Sequence, residues 1–223
     1  MLSLRERWLL ELGVGEPVPR RRPVLTSPSS VSSPTTLLPD WQTLQEMVAS
    51  CRRCGLRDGC RQTVFGVGSS TARWMLVGEG PGEQEDRQGE PFVGKAGLLL
   101  DRMLASIGLA RGEQLFITNV VKCRPPGNRD PKPEEIAACH DHLQSQLRLI
   151  RPKFILLLGR HAAQTLLQTD KSVSSLRARV HSVALPGGGQ ASAVVTYHPA
   201  YLLRNPSAKL EAWRDLQLAL RQS

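Results

Sequence analysis

Four short, almost wholly apolar runs recur along the chain: WMLV (74–77), LFIT (115–118), FILLL (154–158) and AVVTY (193–197). Around and between them, apolar positions return at the spacing of one helical face over about 95–108, 133–150 and 160–168, with a last stretch near 207–221. The helix at 133–150 has a good start signal in Asp130-Pro131 and Pro133, and its stripe is Ile136, Cys139, Leu143, Leu147 and Ile150. Ahead of the first run, WQTLQEMVASC places Trp41, Leu44, Met47 and Val48 on one face. Strands that are nearly all apolar, alternating with amphipathic helices, predict a parallel sheet covered on both faces, an α/β fold. Further upstream, LRERWLLEL (4–12) has the spacing of a short helix, and 15–39 is a Pro/Ser/Thr-rich stretch too poor in large apolar groups to pack. The expected organisation is an N-terminal segment over 1–39, whose short helix is either a tethered element for a partner of its own or a patch on the body, and one folded domain over 40–223.

In such sheets ligands bind beyond the carboxyl ends of the strands. Strand one runs into Gly78, Glu79, Gly80 and Pro81; strand two ends at Asn119; strand three precedes Gly159, Arg160 and His161; strand four precedes His198-Pro199. Carboxylates, an amide and imidazoles therefore converge on one edge, the material of a reactive site.

Composition narrows the class. At 223 residues the chain is long enough for one buried core, and no apolar run is long enough to cross a bilayer. Arg5, Glu6 and Arg7 interrupt any secretory pattern, so a cytosolic protein without a membrane partner is expected. The net charge is +9, and residues 1–50 are balanced, so the whole excess sits in 51–223. Against that, the loop from Glu79 to Glu90 holds Glu79, Glu83, Glu85, Asp86 and Glu90 with only Arg87 among them. A basic body around an acidic, glycine-rich hollow suggests a polyanion gripped by the surroundings, with chemistry in the middle.

Two nucleotide-binding readings of that loop fail on chemistry. GEPFVGKA (89–96) has Ala96 where a P-loop needs a hydroxyl for magnesium, and GEGPGE (78–83) lacks the third glycine of a dinucleotide fingerprint. Carboxylates beside a triphosphate would also be costly.

Five cysteines remain: Cys51, Cys54, Cys60, Cys123 and Cys139. The C-x2-C pair and the C-x15-C pair supply four thiolates, which suits a tetrahedral zinc or a [4Fe–4S] cluster; ligand type does not separate the two.

Taken together, GEGPGEQED, GEPFVGKAG, ITNVVKCRPPGNRDPKPEE and TYHPAYLLRNP resemble, in order and spacing, the motifs of the family 4 uracil-DNA glycosylases, over about residues 40–221. The resemblance implies a three-layer α/β/α fold around a four-stranded parallel sheet. It also implies a structural [4Fe–4S] cluster on Cys51, Cys54, Cys123 and Cys139, with Cys60 outside the pattern. The implied activity is excision of uracil flipped out of DNA, leaving an abasic site. Glu79, Gly80 and Pro81 would line the pocket, Phe92 would stack on the base, Asn119 would read N3–H and O4, and His198 would donate to O2. Gly80 stands where better-known uracil glycosylases have an Asp, so the water-orienting carboxylate falls to Glu79 or Glu85, with Glu85 favoured, or is dispensable if the leaving group departs mainly by dissociation. Tyr201, Leu202 or Leu203 would fill the gap left by the flipped base, and Arg204 and Lys209 would meet phosphates. Arg160 and His161, at a helix start, are further candidates for a phosphate contact. The expected protein is a monofunctional enzyme acting as a monomer on uracil-containing DNA; the alternative is a DNA-binding iron–sulfur module with little turnover.

Overall fold

The computed structural model describes residues 39–112 and 114–222, so the expected helix at 4–12 and the linker after it lie outside the described residues. Helix α1 (Trp41–Ala49) starts at Asp40, whose carboxylate accepts the Thr43 N–H at 2.8 Å, an N-cap worth about 1 kcal/mol. It buries Leu44 and Val48, whereas Met47, expected on the same face, is 40% exposed. A turn carrying Cys51 and Cys54 leads to the short α2 (Leu56–Gly59).

The four apolar runs form β2 (Trp74–Gly78), β3 (Leu115–Asn119), β4 (Phe154–Leu158) and β6 (Gln190–Thr196), and all neighbouring pairs among them are parallel. Two further strands widen the sheet to six: β1 (Val67–Gly68) pairs antiparallel with β3, and β5 (Val180–Ala184) pairs antiparallel with β6. The order is β1-β3-β2-β4-β6-β5. Neither edge strand offered an apolar run. β1 has two residues, and β5 is largely exposed, with only Val183 buried. The β5–β6 turn is Pro186-Gly187-Gly188-Gly189, where all three glycines have positive φ.

Alternate residues of the parallel strands point to opposite faces. Met75, Val77, Phe116, Ile155, Leu157 and Val195 join one core with Leu143 and Leu147 of α5 (Pro133–Ile150) and Ala162, Ala163 and Leu166 of α6 (Arg160–Leu167). Trp74, Leu76, Leu115, Ile117, Leu156 and Val194 join the other with Leu100 and Leu104 of α4 (Lys95–Ala105) and Leu216 of α9 (Lys209–Leu220). Three layers result. The remaining helices are short: α3 (Glu83–Gln88), α7 (Val173–Leu176) and α8 (Pro199–Arg204). No helix among the described residues is long and apolar enough to cross a membrane.

Candidate active site

A cavity of about 760 Å³ opens where the parallel strands end. Its floor depends on Gly78, the last residue of β2, which pairs in register with Asn119, the last of β3. A Cβ at Gly78 would lie 2.4 Å from Asn119 Oδ1 and 2.5 Å from the Phe92 ring, so only glycine lets those two side chains meet over the strand end. Asn119 is 2% exposed and its Oδ1 has no partner among the described residues. A buried acceptor left unpaired costs roughly 1–3 kcal/mol, which a ligand N–H would recover.

Phe92 is held in an unusual backbone state. Its φ is 57°, left-handed for a bulky residue, a conformation that persists only when neighbours enforce it. Arg111 supplies that enforcement, donating to the carbonyls of Pro91 (3.0 Å) and Phe92 while pairing with Asp101 and Glu90. The Phe92 carbonyl also presses on α4, where a Cβ at Gly97 would come within 1.6 Å of it. The Phe92 ring lies 5.5 Å from the His198 ring, tilted by 33°.

His198 caps α8. Its Nδ1 accepts the Ala200 N–H at 3.2 Å, so the proton of the neutral ring sits on Nε2. Burial pushes its pKa below the usual 6.5, with Arg204 and His161 adding to the shift, and the ring is neutral at pH 7. Glu79 places Oε2 2.7 Å from His161 Nδ1. Its carboxyl lies below the ordinary value: burial pushes it up, but the His161 hydrogen bond and the nearby His161, His198 and Arg160 outweigh that. A donor, an amide with an open acceptor, an aromatic face and an ionised carboxylate thus share one cavity.

The described domain matches the model of the uracil DNA glycosylase superfamily over residues 65–217. The chain is 45% identical to a type-4 uracil-DNA glycosylase of Archaeoglobus fulgidus over 174 residues, 76% of this chain and 86% of that protein. It is 44% identical to another from Thermotoga maritima, covering 75% and 85%. A type-5 uracil-DNA glycosylase of Thermus thermophilus is 35% identical over a shorter span, 56% and 64%. The chain belongs to the type-4 uracil-DNA glycosylases.

In this type-4 chain the acidic loop is less of an acidic hollow than its sequence suggests. Glu85, the favoured carboxylate, has both oxygens engaged: Oε2 by the Gly82 N–H (3.1 Å) and Oε1 by those of Val93 (2.9 Å) and Gly94 (3.0 Å). It caps α3 and fastens the entry of α4. Asp86 is buried and accepts from Arg61 and Gln62 N–H, Glu83 pairs with Arg87 and Arg124, and Glu90 with Arg111. Glu79 is left as the carboxylate of that loop turned to the cavity with an oxygen to spare. Gly80 and Pro81 line the cavity. Spacing along a loop does not reveal which acids fold back onto backbone N–H groups, and so the sequence reading overcounted them.

The segment after His198 divides. Tyr201 (39% exposed) and Leu203 (43%) stand at the surface and Arg204 lines the cavity, but Leu202 is 1% exposed in the second core. Leu202 is therefore no wedge; helical geometry turns it inward between two outward neighbours. Arg160 spends its side chain on Asp130 (2.6 Å).

Away from the cavity, Cys51, Cys54, Cys123 and Cys139 line one pocket with Lys122 and His142, while Cys60 stands beside it against Arg57. A single zinc would draw its sulfurs to about 3.8 Å apart, as a Zn–S bond of about 2.3 Å requires. Among the described residues no three thiols lie within 4.8 Å of one another, a wider set than one zinc holds. Two groups in the pocket went unnoticed in the sequence. Lys122 is 1% exposed and has no carboxylate partner among the described residues; its ammonium donates to Thr118 Oγ1 (2.6 Å), the Asn119 carbonyl (2.7 Å) and Gln146 Oε1 (2.8 Å). Burial pulls it down to about 8, so it is charged at neutral pH. His142 is buried, pushed down to about 4 by that burial, and its Nε2 has no partner among the described residues. A buried cation and an idle ring nitrogen lining one pocket with four thiols suit an anionic, sulfur-ligated centre. No sequence pattern marks either residue beforehand.

Proposed function

We propose that the protein is a monofunctional uracil-DNA glycosylase that acts on uracil-containing DNA in the cytoplasm as a monomer. The observation that carries this reading is the buried Asn119 amide with its open Oδ1, facing the Phe92 ring and the Nε2–H of His198 in one cavity.

Asn119 Oδ1 accepts the N3–H of a flipped uracil and its Nδ2 donates to O4; cytosine presents the opposite pair and is refused on both atoms. Phe92 stacks on the base. As the N1–C1′ bond breaks, its electron pair moves onto the pyrimidine, and charge gathers at O2, where His198 Nε2–H donates; such a donor is worth about 10²–10³ in rate. The sugar becomes oxocarbenium-like, and Glu79 faces it as an anion. Water adds its oxygen to C1′ and passes a proton to Glu79, from which the released uracil anion is reprotonated through solvent. Tyr201 or Leu203 fills the vacated stack, while Arg204 and Lys209 meet phosphates.

Cys51, Cys54, Cys123 and Cys139 hold a [4Fe–4S] cluster in this reading, with Lys122 as a buried counter-charge. When bound, the cluster supplies a cross-link between the turn after α1, the segment after β3 and α5 rather than a reaction step.

Incubation with a uracil-containing oligonucleotide, followed by alkaline cleavage, tests the activity. Strand scission at the uracil and none at cytosine is expected. Intact strands at stoichiometric protein, with DNA still bound, would instead establish the binding module without turnover.

A further inference from the structure

His161 is a buried imidazole at the start of a helix whose next two residues are alanines of the core. Its side chain turns to the cavity rather than outward to a phosphate. The ring has two neighbours. Nδ1 lies 2.7 Å from Glu79 Oε2, and Nε2 lies 3.4 Å from Arg160 Nη2. A guanidinium offers no acceptor, so Nε2 must be the accepting nitrogen and Nδ1 carries the proton. Behind it, the same Arg160 nitrogen donates to Asp130 Oδ2 at 2.6 Å.

We propose that His161 is a positioning residue for uracil excision, the donor that locks the Glu79 carboxylate so that Oε1 alone addresses the water and the sugar, with Arg160 and Asp130 fixing its ring. The inference rests on the glycosylase reading above and on Glu79 as its carboxylate.

The need for such a lock follows from the backbone. Glu79 stands between Gly78 and Gly80, so no flanking side chain restrains it. Among the described residues no hydrogen bond reaches its Oε1, and Oε2 is held through His161 alone. The depressed Glu79 carboxyl fits, since the His161 hydrogen bond is the largest influence opposing its burial. The charged and titratable groups around it are His161 and Arg160 of α6, His198 at the cap of α8, Asp130 ahead of α5, and, elsewhere on the cavity wall, Glu85 of α3, Arg129 ahead of α5, Arg204 of α8 and the hydroxyls of Tyr197 and Tyr201. Ligand atoms of Glu79, Asp130 and His161 approach within 4.8 Å of one another, as a metal site would have them. Arg160 already bonds Asp130 and borders His161, so a metal ion would have to displace it, and the cluster reads as an orienting chain.

Single-turnover uracil release by the full chain, with His161→Ala, His161→Gln, Glu79→Gln and the double variant Glu79→Gln/His161→Ala, tests this across pH. His161→Ala should slow the step about 10- to 100-fold, the size of effect that misplacing a reacting group produces. KM should barely move, and the acid limb should shift to higher pH. His161→Gln, which offers an amide N–H, should restore part of the rate. In the Glu79→Gln background, removing His161 should cost no more than about two-fold, because the two act as one unit. Equal losses in both backgrounds, or a raised KM with unchanged turnover and altered salt dependence, would overturn the proposal in favour of a phosphate contact. A wild-type rate in Glu79→Gln would instead strike the carboxylate reading itself. Should the wild type release no uracil, ¹⁵N shifts of the His161 ring still decide: an Nδ1-protonated tautomer that changes in Glu79→Gln supports the lock, and an Nε2-protonated ring sinks it.

Discussion

An amide can tell uracil from cytosine only if it cannot rotate to suit either, and Asn119 is fixed from behind. It ends a fully buried strand, its carbonyl is held by the Lys122 ammonium, and its side chain is squeezed over Gly78 against Phe92. Asn119→Ala should lower uracil release by about 10²–10³, the loss expected when a reaction-site donor is deleted, while leaving the melting temperature nearly unchanged. Rates within a few-fold of wild type would refute the reading role. The pH dependence has a defined sign at this scale. The proposed mechanism needs Glu79 ionised and His198 neutral; both pKa values are lowered, so both states persist below pH 6.5, and activity should fall only in a more acid range. The fold follows the same direction. Glu79, held ionised, stabilises the folded state at neutral pH and loses that contribution as pH falls through its lowered pKa, whereas His198, buried neutral, adds nothing at neutral pH and costs stability below pH 6.5, where the unfolded chain takes up the proton first. A kcat/KM profile that declines around or above the ordinary histidine value would contradict this. The departure at Gly80 can be probed likewise. A Cβ there would sit 2.7 Å from Val121 Cγ2, so Gly80→Asp should not gain activity from its new carboxylate without a compensating smaller residue at 121. Faster release by the single variant would show that Glu79 is not the carboxylate in charge.

Elements hold these residues at the strand ends, and here the sequence was most legible. The four parallel strands, the helices at 133–150 and 160–168 and the convergence of Glu79, Asn119 and His198 all follow from apolar runs and from where they stop. Elements without an apolar signature were hidden: the two-residue β1, the half-exposed β5 and the left-handed turn at Phe92. Hidden too were fates decided by folding back, such as Glu85 capping α3 and Leu202 entering the core. The contact between α4 and the Phe92 loop makes its own prediction. Gly97→Ala, with its Cβ driven into the Phe92 carbonyl, should destabilise the fold by about 1–3 kcal/mol as overpacking does, and uracil release should fall further than stability alone explains because the stacking ring moves. Unchanged urea midpoint and rate would show that α4 does not position Phe92.

At the scale of the whole molecule the cysteine pocket and the excess positive charge matter most. The four thiols come from a turn near the start of the described domain, the segment after β3 and the middle of α5, so a bound cluster would staple three distant stretches of chain. Cys139→Ser should abolish the visible absorption of an iron–sulfur protein and lower the melting temperature. A colourless wild-type protein carrying one zinc would contradict the cluster, whatever its activity. The +9 charge, carried by 51–223, predicts DNA affinity that weakens steeply with salt, because each neutralised phosphate releases a counterion.

Uracil release under single-turnover conditions, from paired oligonucleotides that differ only in uracil or cytosine at one position, bears most directly on the central claim. The wild type should cleave at uracil alone, and Asn119→Ala and His198→Ala should each lose most of that rate while still binding the DNA. Undiminished release by both variants, or no release by the wild type, would contradict the account.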